Sequence, residues 1–203
     1  MRKTLLLILL FLGIQPVYSQ TRKYAVKVVG IKVGEVIAKK QSKGDSVTYS
    51  LSSLVDVNFL IYKLKVDYRV NTVFEEDNFL TSAVKVESNR GNYFTETKRK
   101  GSKFKATSHQ HDKTLERDIS VGINSTFASL FFNEPKSSDK VYAEYYADFI
   151  EITKPQKEFY KGVLQNNIDE YYYENGELVK IVKKNPITDM VLEYQKPKDK
   201  ITR

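Results

Sequence analysis

The sequence predicts an all-β protein, a curved antiparallel meander forming a half-barrel or open barrel, with one short helix. Three observations carry that prediction. Asp169 to Lys184 reads Asp-Glu-Tyr-Tyr-Tyr-Glu-Asn-Gly-Glu-Leu-Val-Lys-Ile-Val-Lys-Lys, two β-rich runs about an Asn-Gly pair that tolerates the positive φ angles of a tight hairpin turn. Roughly 11 or 12 short runs of this kind follow one another at the spacing of a meander. A sheet that long must twist and curl, which gives a curved or barrel-like shape rather than a flat one.

The chain opens with a leader. Met-Arg-Lys precedes an almost wholly apolar run from Thr4 to Ile14, and Gln-Pro-Val-Tyr-Ser-Gln follows. That order is the pattern of a secretory signal peptide, cleaved after Ser19. The apolar run is shorter than the roughly 18 residues of a membrane span and meets Pro16, so residues 1–19 are expected to leave and 20–203 to form a single antiparallel β domain. Removal of those 19 residues from the 203 leaves 184, enough for one well-buried domain. It also takes away Arg2 and Lys3, so a formal net charge of +8 becomes +6. The chain has no cysteine. An exported protein without disulfides must rely on its hydrophobic core, and thiol nucleophiles and thiolate metal sites are excluded.

Along the domain, Lys23 to Gln41 gives two β-rich runs around Gly30 and Gly34, which suit a tight connection or bulge. Ser42 to Asp45 is a polar turn. Val47, Tyr49, Leu51, Val55, Val57 and Phe59 then alternate with polar residues, as do Leu64, Val66, Tyr68 and Val70. A one-residue slip would bury the polar set, so the register is well specified. Glu75 to Asn78 turns the chain into a strand with Leu80, Val84 and Val86. Between Asn89 and Asp118 the runs are β-like but polar on both faces, with eight basic residues against four acidic ones. Such a segment belongs at an edge or projects from the core, where lysines also deter strand-to-strand aggregation. Asn124 to Pro135 is the one predicted helix: Asn124 or Ser125 caps it, Phe127, Leu130 and Phe131 share a face, and Pro135 ends it. The last third returns to strands at Val141 to Thr153, Phe159 to Leu164, the Asn-Gly hairpin and Thr188 to Tyr194, and it holds eight of the 14 tyrosines.

Candidate sites are few. His109 and His111 lie at i and i+2 on one strand face, but zinc takes three or four ligands and nothing else matches a metal motif, so no metal or cofactor is expected. These two imidazoles are also the only bases available to a serine nucleophile, and they sit in the least enclosed part of the chain. Glu170, Glu174 and Glu177 flank a hairpin turn and read as solvated acids, so no catalytic residue is assigned. Phe127, Leu130 and Phe131, with Tyr171 and Tyr173, are the candidate ligand-binding residues, since tyrosine offers an apolar body with a polar tip. Of Tyr171, Tyr172 and Tyr173, two at most share a face. Lys98, Lys100, Lys103 and Lys105 are the candidate contacts to an anionic surface. Nucleic acid is excluded as a partner of an exported protein.

The segments Tyr24-Ala-Val-Lys-Val-Val-Gly-Ile-Lys-Val-Gly-Glu-Val, Tyr62-Lys-Leu-Lys-Val-Asp-Tyr, Phe131-Phe-Asn-Glu-Pro and Tyr171-Tyr-Tyr-Glu-Asn-Gly-Glu-Leu-Val-Lys resemble a family of uncharacterised exported β-proteins of Bacteroidota. The resemblance implies one domain in a Gram-negative periplasmic or outer-membrane setting, and carries no activity or catalytic residue with it. A more distant likeness in strand order, to periplasmic half-barrels that carry lipoproteins, is one of fold alone. The leading expectation is a non-enzymatic binding or chaperone-like module that holds a lipid or other amphiphile on a concave sheet closed by the Phe127 to Phe132 helix. The alternative is a structural or interaction protein of the envelope with a filled core, meeting an envelope protein or the anionic membrane surface through its basic hairpins. A metal-dependent enzyme is the remote third. An apolar cavity of roughly 300 Å³ or more distinguishes the first from the second.

Overall fold

The computed structural model describes residues 17–59, 62–110 and 113–197. The strands are β1 (Val17–Val28), β2 (Ile31–Lys43), β3 (Ser46–Phe59), β4 (Tyr62–Glu75), β5 (Asn78–Ser88), β6 (Gly91–Lys100) and β7 (Lys103–Gln110). They continue with β8 (Lys113–Ile119), β9 (Lys140–Ala143), β10 (Asp148–Gln156), β11 (Phe159–Leu164), β12 (Asn167–Glu174), β13 (Glu177–Lys183) and β14 (Met190–Tyr194). All fourteen form one antiparallel sheet in the order β8-β7-β6-β5-β4-β3-β2-β1-β14-β13-β12-β11-β10-β9. The expected all-β meander is the fold, and β8 and β9 are its two ends. The expected cleavage point after Ser19 falls inside β1, where Val17 to Gln20 are exposed and pair with Lys43 to Lys40 of β2.

Turn chemistry fixes the register. Asn175 and Gly176 both have positive φ between β12 and β13, as the tight hairpin requires. Glu76 and Asp77 do the same between β4 and β5 without a glycine. Gly34 has a different task. It lies within β2 opposite Val55, next to a register shift at Val26/Lys27, and a Cβ there would stand 2.3 Å from the Leu54 carbonyl oxygen. The bulge presses two backbones together, and only glycine leaves the space.

One strand is added and two expectations change. Lys113 to Ile119 is a strand although six of its seven residues are exposed, because an end strand need not bury a face. Val141 to Thr153 is two strands, broken by a turn in which Ala147 takes φ 50°. The helix shrinks to one 3-10 turn, Ala128–Phe131, with no side-chain cap from Asn124 or Ser125. A four-residue turn has no stability of its own, so its neighbours hold it.

That turn plugs the inside of the curved sheet. Arg22 donates to the Phe131 carbonyl at 2.7 Å, and the Tyr173 hydroxyl donates to the Leu130 carbonyl at 2.8 Å. Phe131 meets Tyr24 edge-on at 5.1 Å between ring centres, and Phe132 lies 5.9 Å from Tyr49. The sheet then rolls past itself. Ile150 and Ile152 share the inner face with Gly162 and Tyr171. Tyr142 and Phe149, paired across β9 and β10, face the other way, and Tyr142 lies 5.9 Å from Phe79 of β5. Val141 and Tyr142 are therefore both fully buried, though adjacent residues of a strand point to opposite faces. The β9 end is tucked beneath the β4–β8 wing.

Replacing Gly34 by alanine is expected to lower the unfolding free energy by about 2 kcal/mol, the usual scale of overpacking against a backbone that cannot retreat. Urea unfolding reads this as a lower midpoint at unchanged slope; an unmoved midpoint would show that β2 and β3 are not in close contact there.

Candidate functional site: a buried carboxylate and a basic hairpin face

Glu144 follows β9 on the face that looks across to the β4–β6 wing, and it is 1% exposed. One carboxylate oxygen accepts from the Thr72 hydroxyl of β4 at 2.9 Å and from the Ala128 N–H at 3.2 Å; the other accepts from the Phe127 N–H at 3.1 Å. It thus does for the 3-10 turn what Asn124 or Ser125 was expected to do. Tyr142 N–H donates to the Ser125 carbonyl at 2.9 Å, and Phe127 N–H donates to the Tyr142 carbonyl at 2.8 Å, so residues 125–127 also cover the outer edge of β9. Burial pushes the Glu144 carboxyl up, and its hydrogen bonds hold it partly down. Burial, and then the Glu144 charge, raise the nearby Tyr68 phenol.

A row of hydroxyls receives this seam. Thr72, Ser82 and Thr97 stand side by side in register on β4, β5 and β6. Thr97 shares a 2.7 Å hydrogen bond with the Tyr142 hydroxyl, and Thr95 donates to the Tyr145 carbonyl at 3.1 Å. Ser82, between them, has its oxygen buried without a protein partner. At the end of the wing Arg117 of β8 donates to the Ala147 carbonyl at 3.1 Å and pairs with Asp148 at 3.0 Å. In the stretch from Asn89 to Asp118, expected to be polar on both faces, β6 and β7 therefore bury one face, while Lys113 to Asp118 of β8 stay exposed. Thr95 and Thr97 are interior because they bind β9 and the turn after it, a relation between residues some 45 apart that periodicity does not reveal.

The arrangement has little room for chemistry. The Glu144 acceptors are occupied by the protein, and the carboxylate is closed off from solvent. His109 stacks on Phe94 at 6.3 Å and shares a hydrogen bond with Thr114 at 2.9 Å. His111 lies outside the described residues, and among those no group of three or more His, Asp or Glu side chains is placed to hold a metal. Glu177 pairs with Arg22, and Glu174 with Lys196.

The five candidate ligand residues do come together. Leu130, Phe131, Tyr171 and Tyr173 are fully buried, with Phe127 half-buried against Phe131 at 5.6 Å. Tyr172 points the other way, onto Phe159 at 4.9 Å. Four of the five belong to one hydrophobic core and Phe127 packs against it, with direct contacts between Phe127 and Phe131 and between Tyr173 and Leu130. Two depressions lie elsewhere, on the surface: a notch of about 340 Å³ beside Lys85, Glu87, Tyr93, Phe94 and His109, and one of about 210 Å³ beside Asp45, Glu75, Glu76 and Arg99.

The four candidate lysines share the outer face of the β6–β7 hairpin, because Thr97 and Phe104 take the inner one. Lys98 stands directly opposite Lys105, and Lys100 opposite Lys103. Directly opposed like charges oppose pairing. Lys98 is paired with Glu96 at 2.8 Å and Lys105 with Glu116 at 2.9 Å, which relieves one side of the block. The Lys100–Lys103 side flanks the hairpin turn and is exposed.

The chain belongs to the family described as Domain of unknown function (DUF6134), whose model matches residues 24–195. No curated protein and no solved structure matches it.

Replacing Glu144 by alanine leaves the buried Ala128 N–H and Thr72 hydroxyl without this acceptor, while the Phe127 N–H keeps the Tyr142 carbonyl, and is expected to cost about 2 kcal/mol or more in urea unfolding. Glutamine keeps an acceptor and loses the charge, so it should cost less. The folded chain holds the Glu144 proton more tightly than the unfolded chain, where glutamate titrates at 4.5. The stabilising contribution of the carboxyl is therefore complete below that value and is lost as the pH rises through the raised native pKa. The stability of the parent relative to Glu144→Gln should fall with rising pH in that window. A difference that rises with pH would contradict the assignment.

Proposed function

We propose that this chain is a non-catalytic interaction module of the cell envelope, with a filled core, that meets an anionic membrane surface through the outer face of its β6–β7 hairpin. The observation that carries the reading is the block of four lysines in two directly opposed pairs. Glu96 and Glu116 relieve the Lys98–Lys105 pair within the sheet, and a phosphate-bearing surface offsets the repulsion of the block as a whole. The apolar leader of residues 1–19 supports export, and so a setting where such a surface is within reach.

What favours this over a carrier of apolar or amphiphilic ligands is that Leu130, Phe131, Tyr171 and Tyr173 are part of the packed core and Phe127 packs against it. A carrier needs those side chains to line open space.

Vesicle sedimentation tests the proposal. The protein should bind vesicles containing phosphatidylglycerol, ignore phosphatidylcholine vesicles, and be released by high salt, because the interaction is screened. Lysines near an anionic bilayer contribute about 1 kcal/mol each, so replacing all four by glutamine should weaken binding by at least about a hundredfold. Equal binding of parent and variant would remove the hairpin from the account.

A further inference from the structure

The two ends of the sheet are treated differently. β9 is buried on both faces and covered along its edge by residues 125–127. Among the described residues no backbone hydrogen bond reaches the outer edge of β8, whose pairing with β7 runs without a register shift and which contains no proline. It is a straight seven-residue template for another strand.

β8 cannot pair well with its own copy. An antiparallel two-fold pairing centred on Leu115 sets Lys113 against Arg117. Centred on Glu116 it opposes the two glutamates, and centred on Arg117 it opposes two arginines and sets Glu116 against Asp118. Each register places like charges opposite one another.

The six residues after Pro197 fit it instead. Their sequence is Lys198-Asp199-Lys200-Ile201-Thr202-Arg203. Laid antiparallel on β8, Lys198 meets Asp118, Asp199 meets Arg117, Lys200 meets Glu116, Ile201 meets the exposed Leu115 and Thr202 meets Thr114; Arg203 falls opposite Lys113, one like-charged contact at the strand end against three opposite-charged ones. Glu116 and Arg117 already have partners in Lys105 and Asp148, but both side chains are more than half exposed and can take a second.

We propose that the segment Lys198–Arg203 of one copy adds as a strand to the free edge of β8 of another, joining copies head to tail. The donor must be a second molecule. Gln195 N–H is bonded to the Lys23 carbonyl at 2.8 Å and Lys196 is paired with Glu174, which holds Pro197 beside β1 and β12, while β8 is eight places from β14 in the sheet. One peptide step of about 3.8 Å does not bridge that separation. The competing place within the same chain is the continuation of β14 along β1. There Pro197, which has no N–H, faces Thr21, and Lys198 and Lys200 fall opposite Gln20 and Tyr18, with no acid to meet. An edge joined to a tail in this way is heterologous, so association leads to rings or open chains rather than a closed two-fold dimer.

Analytical ultracentrifugation of the purified chain, as processed by the expressing host, tests this over a wide concentration range. The average mass should rise with concentration, and a chain ending at Pro197, which leaves the sheet intact, should remain a monomer. K198E with K200E should weaken association at least about tenfold, and so should E116K with D118K. The four changes together should restore it, which separates pairing from any loss of folding. Association of the shortened chain as tight as that of the whole, failure of the fourfold variant to recover, or a monomer at every concentration would each overturn the proposal. Vesicle binding by Lys98 to Lys105 is read separately with K198E and K200E, which leave that face unchanged; E116K alters it, since Glu116 pairs with Lys105.

Discussion

An open antiparallel sheet has two ends whose backbone groups need partners, and the rest of this structure depends on how one of them is satisfied. Tyr142 carries most of that burden. Its backbone bonds to Ser125 and Phe127, its hydroxyl to Thr97, and its ring packs on Phe79 and Phe149. Two residues on, Glu144 joins the same segment to Thr72 on β4. The β9 end can lie inside the roll only because these polar groups find partners there, since each one buried alone would cost about 1–3 kcal/mol. The cost of rolling the sheet is thus met by hydrogen bonds, and apolar packing fills what remains.

The interior follows from this. The 3-10 turn is too short to persist by itself, yet Ala128, Leu130 and Phe131 are its most deeply buried residues. Glu144 bonds two N–H groups at its start, Arg22 and Tyr173 bond two of its carbonyls, and the aromatic rings of β1, β3 and β12 surround it. A side chain expected to close a concave binding face becomes the filling of a core. With the inside filled in this way, the surfaces proposed for recognition are the outer face of the β6–β7 hairpin and the edge of β8. Both are charged, and both lie on the wing that is not tucked in.

Much of the fold was legible in the residues. Alternation at Leu64 to Val70 and the Asn175-Gly176 pair gave strands, faces and turn type, because period and φ preference are local properties. The basic hairpin was equally plain, since lysines at alternate positions of two adjacent strands must share a face. What escaped was set by distant partners. Glu144 reads as an ordinary acid after a strand, and only Thr72 and the turn at Phe127 explain its burial. Thr95, Thr97 and Ser108 read as a solvated face, and only the return of β9 makes it an inside one. The helix was overestimated for the same reason: spacing at Phe127, Leu130 and Phe131 marks a shared buried side, which a single turn in a core also provides.

Hydrogen exchange in dilute solution tests the central claim most directly, because it asks which end of the sheet is closed. The account predicts that the Tyr142 and Phe127 amides exchange as slowly as those of β3 and β4 in the middle of the sheet, while the outward-facing amides of β8 exchange quickly. Exchange at Tyr142 and Phe127 as fast as in β8 would mean that the β9 edge opens freely. The seam formed by Glu144 and Tyr142 would then not be what holds the roll together.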